Sequence, residues 1–77
     1  MIFVFSVIRD QSGRSFVVTA SDSVHQAVIA YNKADLSSYD YGEVKVYDSE
    51  GIWVNSATYL PTRNLTSDLV LESLFKR

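Results

Sequence analysis

Few side chains in this 77-residue chain are of the kinds that catalyse reactions or bind metal ions. It has one histidine, His25, and no cysteine, so neither a histidine cluster nor a thiolate metal site can form. A serine nucleophile needs an adjacent base, and the G-x-S-x-G sequence that presents such a serine is absent. The sequence therefore predicts a protein that is not an enzyme and has no cofactor, with His25 facing solvent.

Loop carboxylates and glycines are the remaining candidates for chemistry. Asp48 and Glu50 flank Ser49 and could hold a weakly bound cation, but the other ligands of a calcium loop are missing. A solvated loop is the preferred interpretation. The three glycines, at positions 13, 42 and 51, are spaced so that no phosphate-binding loop can be built from them. We therefore expect neither a metal site nor a nucleotide site.

Charged residues are scattered along the chain. The seven basic and nine acidic residues give a net charge of −2. Nucleic-acid binding depends on clustered lysine and arginine, whereas a DNA mimic needs a dense acidic surface. The charge pattern argues against both functions.

The apolar N-terminal run, Met1 to Ile8, has neither the positive leader nor the cleavage site of a signal peptide. It is also far shorter than the ~20 residues of a membrane span. We interpret it as a buried strand and expect no membrane association. Because the chain has no cysteine, a cytoplasmic protein is expected.

A hairpin is predicted at the N-terminus. β-Branched and aromatic residues form two runs, Ile2 to Arg9 and Arg14 to Ala20, joined by a loop that ends in Gly13. In the second run, strict alternation places Phe16 and Val18 on the core side.

A helix is predicted after this hairpin. Ser23 is its expected N-cap, with Gln26 at capping-box spacing, and the helix should end at Lys33 or Ala34. Its apolar stripe comprises Val24, Ala27, Val28 and Tyr31.

The C-terminal half predicts a second hairpin and a further element. Strands are expected at Glu43 to Tyr47 and from Ile52 to Ala57 or Tyr59. The segment from Leu69 to Lys76 fits a short helix, although an edge strand remains an alternative because three consecutive apolar residues suit either period.

These elements predict a single small α+β domain over residues 1–77. Its fold is ββαββ(α), a four-stranded antiparallel sheet with one main helix packed on one face. The residues expected to be buried between the sheet and this helix are Phe16, Val18, Val28, Tyr31, Val44 and Val46.

The predicted strands are apolar on both faces, which one helix cannot cover. In the first strand, Phe3, Phe5 and Val7 alternate with Ile2, Val4 and Ile8, so both faces are apolar. The second face should meet the C-terminal segment (Leu69, Leu71, Leu74 and Phe75), a second copy of the chain, or a partner protein. Aromatic residues are enriched at binding hot spots. The candidate partner-binding residues are Tyr39, Tyr41, Lys45, Tyr47 and Trp53.

Four segments resemble the hairpin, helix, hairpin layout of small phage-encoded anti-CRISPR proteins. They are Gly13 to Ala20, Ser23 to Ala27, Gly42 to Val46 and Gly51 to Trp53, and the resemblance covers residues 2–55. It implies a non-enzymatic inhibitor that binds a nucleoprotein surveillance complex and blocks its access to DNA.

Three functions remain open from the sequence. The first is inhibition or regulation of a host protein or nucleoprotein complex in the host cytosol. The second is self-association as a homodimer or assembly protein. The third is nucleic-acid binding on a sheet platform of Phe3, Phe5, Tyr47 and Trp53, which the charge pattern disfavours.

Overall fold

A computed structural model describes residues 1–75 and has an antiparallel sheet with two helices. The elements are β1 (Ile2–Arg9), β2 (Arg14–Ser21), α1 (Val24–Lys33), β3 (Tyr41–Tyr47), β4 (Trp53–Leu60) and α2 (Ser67–Phe75). The strand order is β2-β1-β3-β4, with every neighbouring pair antiparallel. The predicted α+β class and element order are confirmed.

The two helices begin at polar caps. The Ser23 hydroxyl accepts a hydrogen bond from the Gln26 backbone N–H at 3.3 Å, as the N-cap prediction requires. The Thr66 hydroxyl accepts from the Leu69 N–H at 3.1 Å and caps α2 in the same way. The edge-strand alternative for the C-terminal segment is therefore wrong. The predicted end of α2, Lys76, lies outside the described residues.

One face of the sheet forms the core with both helices. Phe5, Val44 and Val46 are fully buried on this face, as are Tyr31 of α1 and Val70 of α2. The remaining buried apolar residues are Phe3, Val7, Ala27, Val28, Leu36, Leu60, Leu65 and Leu74.

Side-chain hydrogen bonds fix α2 on the same face as α1. The Tyr31 hydroxyl donates to the Pro61 carbonyl oxygen at 3.0 Å. Asn32 binds Leu65 reciprocally, donating to its carbonyl at 2.7 Å and accepting from its N–H at 2.9 Å. Asn55, on the core face of β4, donates to the Leu74 carbonyl oxygen. Of the three alternatives for covering the second sheet face, the C-terminal segment is therefore wrong, because these bonds hold the chain from Pro61 onward against α1 and the core face.

The expected burial of Phe16 is also wrong. Phe16 is opposite Val7 and so lies on the core side, but it is 53% exposed because β2 is the edge strand. Ser6 pairs with Val17 and Phe5 with Thr19, which leaves Val18 as a bulge residue. Val18 is half-buried against the core. The strict alternation predicted for β2 fails at this bulge.

Two further irregularities occur in β4, the other edge strand. Its register with β3 shifts twice, so that Val54 and Tyr59 have no partner across the ladder. Tyr59 adopts a left-handed backbone conformation with φ 62°. These bulges twist the strand and redirect its side chains.

Tyr31 can pack under β3 only because residue 42 is glycine. A Cβ at Gly42 would lie 2.1 Å from the Tyr31 hydroxyl oxygen and 3.0 Å from its Cζ. The ring also packs against Phe5, with centroids 5.6 Å apart. Burial disfavours the charged tyrosinate and raises the pKa of Tyr31 to about 12. The neutral phenol is the form that donates to Pro61.

Val46→Ala should lower the free energy of unfolding by about 1–3 kcal/mol, since it removes two buried methyl groups and leaves a cavity in the core. Chemical denaturation of the variant and the parent measures this loss. Val17→Ala is the matched control, because Val17 is 67% exposed, and it should change stability by about 0.5 kcal/mol or less. Equal stability of the Val46 variant and the parent would contradict the assigned core.

Gly42→Ala should destabilise the fold by about 1–3 kcal/mol, because the new methyl group overlaps the Tyr31 hydroxyl. Combining it with Tyr31→Phe removes the overlapping oxygen. In a double-mutant cycle measured by denaturation, the two changes together should therefore cost less than the sum of the single losses. Strict additivity would show that the two residues do not meet.

Candidate functional site

The sheet face opposite the helices has no covering element among residues 1–75. Across β1 and β3 this face pairs Ile2 with Tyr47, Val4 with Lys45, Ser6 with Glu43 and Ile8 with Tyr41. We call this surface the open face. Its larger side chains are Ile2, Val4, Ile8, Val17, Tyr41, Glu43, Lys45, Tyr47, Trp53 and Tyr59.

One end of the open face is apolar. Tyr47 lies directly opposite Trp53 on β4 and opposite Ile2 on β1. Cross-strand pairing brings such side chains into contact range on one face. Trp53 nevertheless remains 57% exposed. This end therefore presents a large indole surface to solvent beside a half-buried tyrosine.

The other end carries a pair of tyrosines. The rings of Tyr41 and Tyr59 have centroids 4.6 Å apart and are tilted by 37°, within the range of favourable aromatic contacts. Tyr59 is 76% exposed, and it is the bulge residue with positive φ. The bulge thus places its ring against Tyr41.

The middle of the face carries one acid and one base. The ammonium group of Lys45 lies 3.8 Å from a carboxylate oxygen of Glu43, two residues away on the same strand. Lys45 is exposed and Glu43 is half-buried, so solvent screens the pair and it contributes little to stability. It leaves the centre of the open face close to neutral.

Carboxylates flank the tyrosine pair. Desolvation and then the negative charges of Asp10, Glu43 and Asp40 raise the pKa of Tyr41, and Tyr59 also contributes. The Asp10 backbone N–H donates to a carboxylate oxygen of Asp40 at 2.9 Å, which ties the β1–β2 loop to the segment before β3. The tyrosine end of the face therefore has a negative electrostatic potential.

Four of the five predicted partner-binding residues lie together. Tyr41, Lys45 and Tyr47 alternate along β3 on the open face, and Trp53 joins them from β4. Tyr39 does not belong to this group. It packs against the core, with its ring 5.7 Å from that of Phe16 and 5.5 Å from the Arg9 guanidinium.

Tyr59 and Val17 belong to the open face but were not among the sequence candidates. Simple alternation cannot assign Tyr59 to a face, because the bulge interrupts the period and no glycine marks the positive φ. Val17 is opposite Ser6 on the open side. Its apolar character alone does not distinguish it from a core residue.

The predicted nucleic-acid platform is wrong as a set. Phe3 and Phe5 are buried on the core face, whereas Tyr47 and Trp53 lie on the open face. These four rings cannot stack on one nucleic-acid strand.

The described residues contain no group of three or more histidine, acidic or cysteine side chains arranged to hold a metal ion. His25 is exposed near the start of α1. A carboxylate oxygen of Asp48 accepts from the backbone N–H groups of Glu50 and Ile52 at 2.9 and 3.0 Å, so this side chain stabilises its own hairpin loop.

No helix within residues 1–75 has the length and apolar character needed to cross a membrane.

Comparison with known proteins gives no relative. No protein-family model, curated protein sequence or solved structure matches the chain.

Replacing Asp10 and Asp40 by asparagine should lower the pKa of Tyr41 toward its ordinary value, because their negative charges disfavour the tyrosinate. An alkaline NMR titration of the assigned tyrosine ring carbons measures this change. The control, Asp22→Asn, removes a carboxylate that does not contribute to the Tyr41 shift. An unchanged Tyr41 titration in the double variant would show that the two carboxylates do not act on this ring.

Proposed function

We propose that this chain is a non-enzymatic inhibitor or regulator that binds another protein through its open face. The observation that carries this proposal is the side of the sheet on which the helices lie. Both pack on the core face, so Trp53 and Ile2 remain exposed to solvent on the other face, beside the half-buried Tyr47. Clustered exposed apolar side chains are typical of interaction surfaces.

The size of the open face suits a protein interface. Four strands spaced about 4.8 Å apart, each of about eight residues rising about 3.3 Å, give a sheet of roughly 20 by 26 Å, or ~500 Å² in projection. Side-chain relief increases the accessible area toward the ~800 Å² that each partner buries in a standard interface. Trp53 and Tyr47 are the expected anchors, because aromatic residues carry much of the binding energy at such surfaces.

The more specific proposal is inhibition of a CRISPR-Cas surveillance complex by a phage-encoded protein acting in the host cytosol. It is supported by the resemblance of residues 2–55 to small anti-CRISPR proteins. The resembling segment Gly51 to Trp53 leads into the apolar end of the open face, and Gly42 to Val46 includes Lys45 and Glu43 on it. An inhibitor of this kind needs a binding surface and no catalytic group.

The charges on the open face disfavour nucleic acid as the partner. Lys45 is its one lysine or arginine among the described residues, and it already lies 3.8 Å from Glu43. Asp10 and Asp40 add negative potential at the tyrosine end. Phosphate backbones require the opposite charge.

The double replacement Tyr47→Ala with Lys45→Glu should abolish binding and inhibition while leaving the melting temperature nearly unchanged. One lost hot spot typically costs about 2 kcal/mol, or roughly thirty-fold in affinity. The measurement is affinity purification from the host with mass spectrometry, followed by a binding assay on the partner and thermal melts of each variant.

Phe16→Ala is the matched control, because Phe16 is exposed to a similar extent as Trp53 but lies on the core side of the sheet edge. It should retain partner binding. Full activity of the open-face variant, or loss only together with the fold, would place the interface on another surface. A dimer that dissociates on the same replacement would instead support self-association.

A further inference from the structure

The tyrosine end of the open face has features that its apolar end lacks. Tyr59 is held in a left-handed conformation that bulky residues rarely adopt, and its ring is the most exposed of the large hydrophobic side chains. Strained backbone of this kind persists where the surrounding structure enforces it, and it often accompanies binding sites. Here it presents two adjoining aromatic rings at the edge of an uncovered sheet face.

The chemistry at this end is complementary to a cation. Aromatic faces attract guanidinium and ammonium groups through the ring quadrupole. Asp10 and Asp40 form no ion pair with a basic residue of the part of the chain described here. The basic side chain nearest in sequence, Arg9, donates to the Ser38 carbonyl oxygen at 3.0 and 3.2 Å and lies over Tyr39, away from the open face.

Pairing of two copies through their open faces does not supply that cation. The lysine on the open face, Lys45, lies beside Glu43 of its own strand. Two copies stacked with their tyrosine ends together would also place Asp10 and Asp40 against the same carboxylates of the other copy. Like charges in apposition oppose association. The charge distribution therefore favours a different protein as the occupant.

Resting on the proposed function, we propose that the Tyr41–Tyr59 pair and its flanking carboxylates receive an arginine or lysine side chain of the partner protein. The apolar end at Trp53 and Tyr47 then covers uncharged side chains next to it. The partner is thus a protein surface that presents a basic side chain beside an apolar patch. Arginine suits the site best, because its planar guanidinium stacks on rings and binds carboxylates at the same time.

The test needs no knowledge of the partner. Nα-Acetyl-arginine amide is titrated into isotope-labelled protein, with Nα-acetyl-citrulline amide, its neutral near-isostere, as the matched probe. We expect saturable NMR chemical-shift changes centred on Tyr41 and Tyr59 with the arginine compound. At the same concentration, the citrulline compound should give shift changes at least about five-fold smaller.

Two variants check the assignment by different means. Asp10→Asn with Asp40→Asn keeps an oxygen acceptor at position 40 and removes both charges. Tyr59→Gly removes one ring at a position where the positive φ suits glycine. Each should weaken arginine binding by about three-fold to ten-fold with an unchanged fold by circular dichroism, while Asp22→Asn should bind like the parent.

Equal responses to arginine and citrulline, shifts centred away from the tyrosines, or variants that bind like the parent would overturn this inference. The proposed function fails differently, through partner binding that survives the Tyr47 and Lys45 replacements. A chain that loses its partner on those replacements but ignores arginine would keep the proposed function and refute the cation site.

Discussion

The attachment of the β4–α2 connection to α1 determines which face of the sheet is covered and which is left open. Tyr31 donates to Pro61, and Asn32 forms two hydrogen bonds with Leu65, so consecutive residues of one helix bind the chain as it leaves the sheet. These bonds satisfy backbone groups that would otherwise be only partly solvated, and buried unsatisfied groups are costly. They also direct the last helix toward the core face. Gly42 provides the space that Tyr31 needs, so a single missing side chain on β3 permits the arrangement.

As a consequence, one face of the sheet forms the core and the other remains in contact with solvent. Phe5, Val44 and Val46 contribute their full apolar surface to the core, whereas Trp53 retains more than half of its surface in solvent. Small domains have little core to spare. A chain that leaves an indole, three tyrosines and several aliphatic groups outside its core gives up stabilisation that a covering helix would provide. Retaining such a surface is consistent with a role in binding. The open face is neutral at its centre and negative at its tyrosine end, and this charge distribution restricts which partners it can bind.

The sequence is sufficient for the architecture and for most of the candidate site. Local signals carry it: glycines that close the hairpins, the Ser23 cap, and clean alternation that assigns Tyr47 and Lys45 to the side away from Val44 and Val46. It is insufficient where a position depends on distant residues. The hydrogen bond between Tyr31 and Pro61 joins residues 30 positions apart, and no periodic pattern in the sequence indicates it. The side of the sheet on which α2 packs therefore could not be predicted from the sequence. Bulges at Val18 and Tyr59 reset the alternation without a distinctive residue, so alternation alone does not assign Tyr59 to the open face. The exposure of Phe16 has a different cause, because its strand lies at the sheet edge and the strand order is not written in local sequence.

The bulges of β4 also affect how readily another chain could add a strand to the edge of this sheet. An edge strand next to a flat apolar face is a template for further chains, and steric or geometric interruption of its hydrogen-bonding groups is a common defence. Val54 and Tyr59 interrupt the ladder near either end of β4. The regular stretch between them, residues 55–58, is short and offers an added strand few backbone hydrogen bonds. Val18 interrupts β2 in a similar way at the opposite edge. Irregular edges of this kind disfavour the addition of further strands beside an exposed hydrophobic sheet surface.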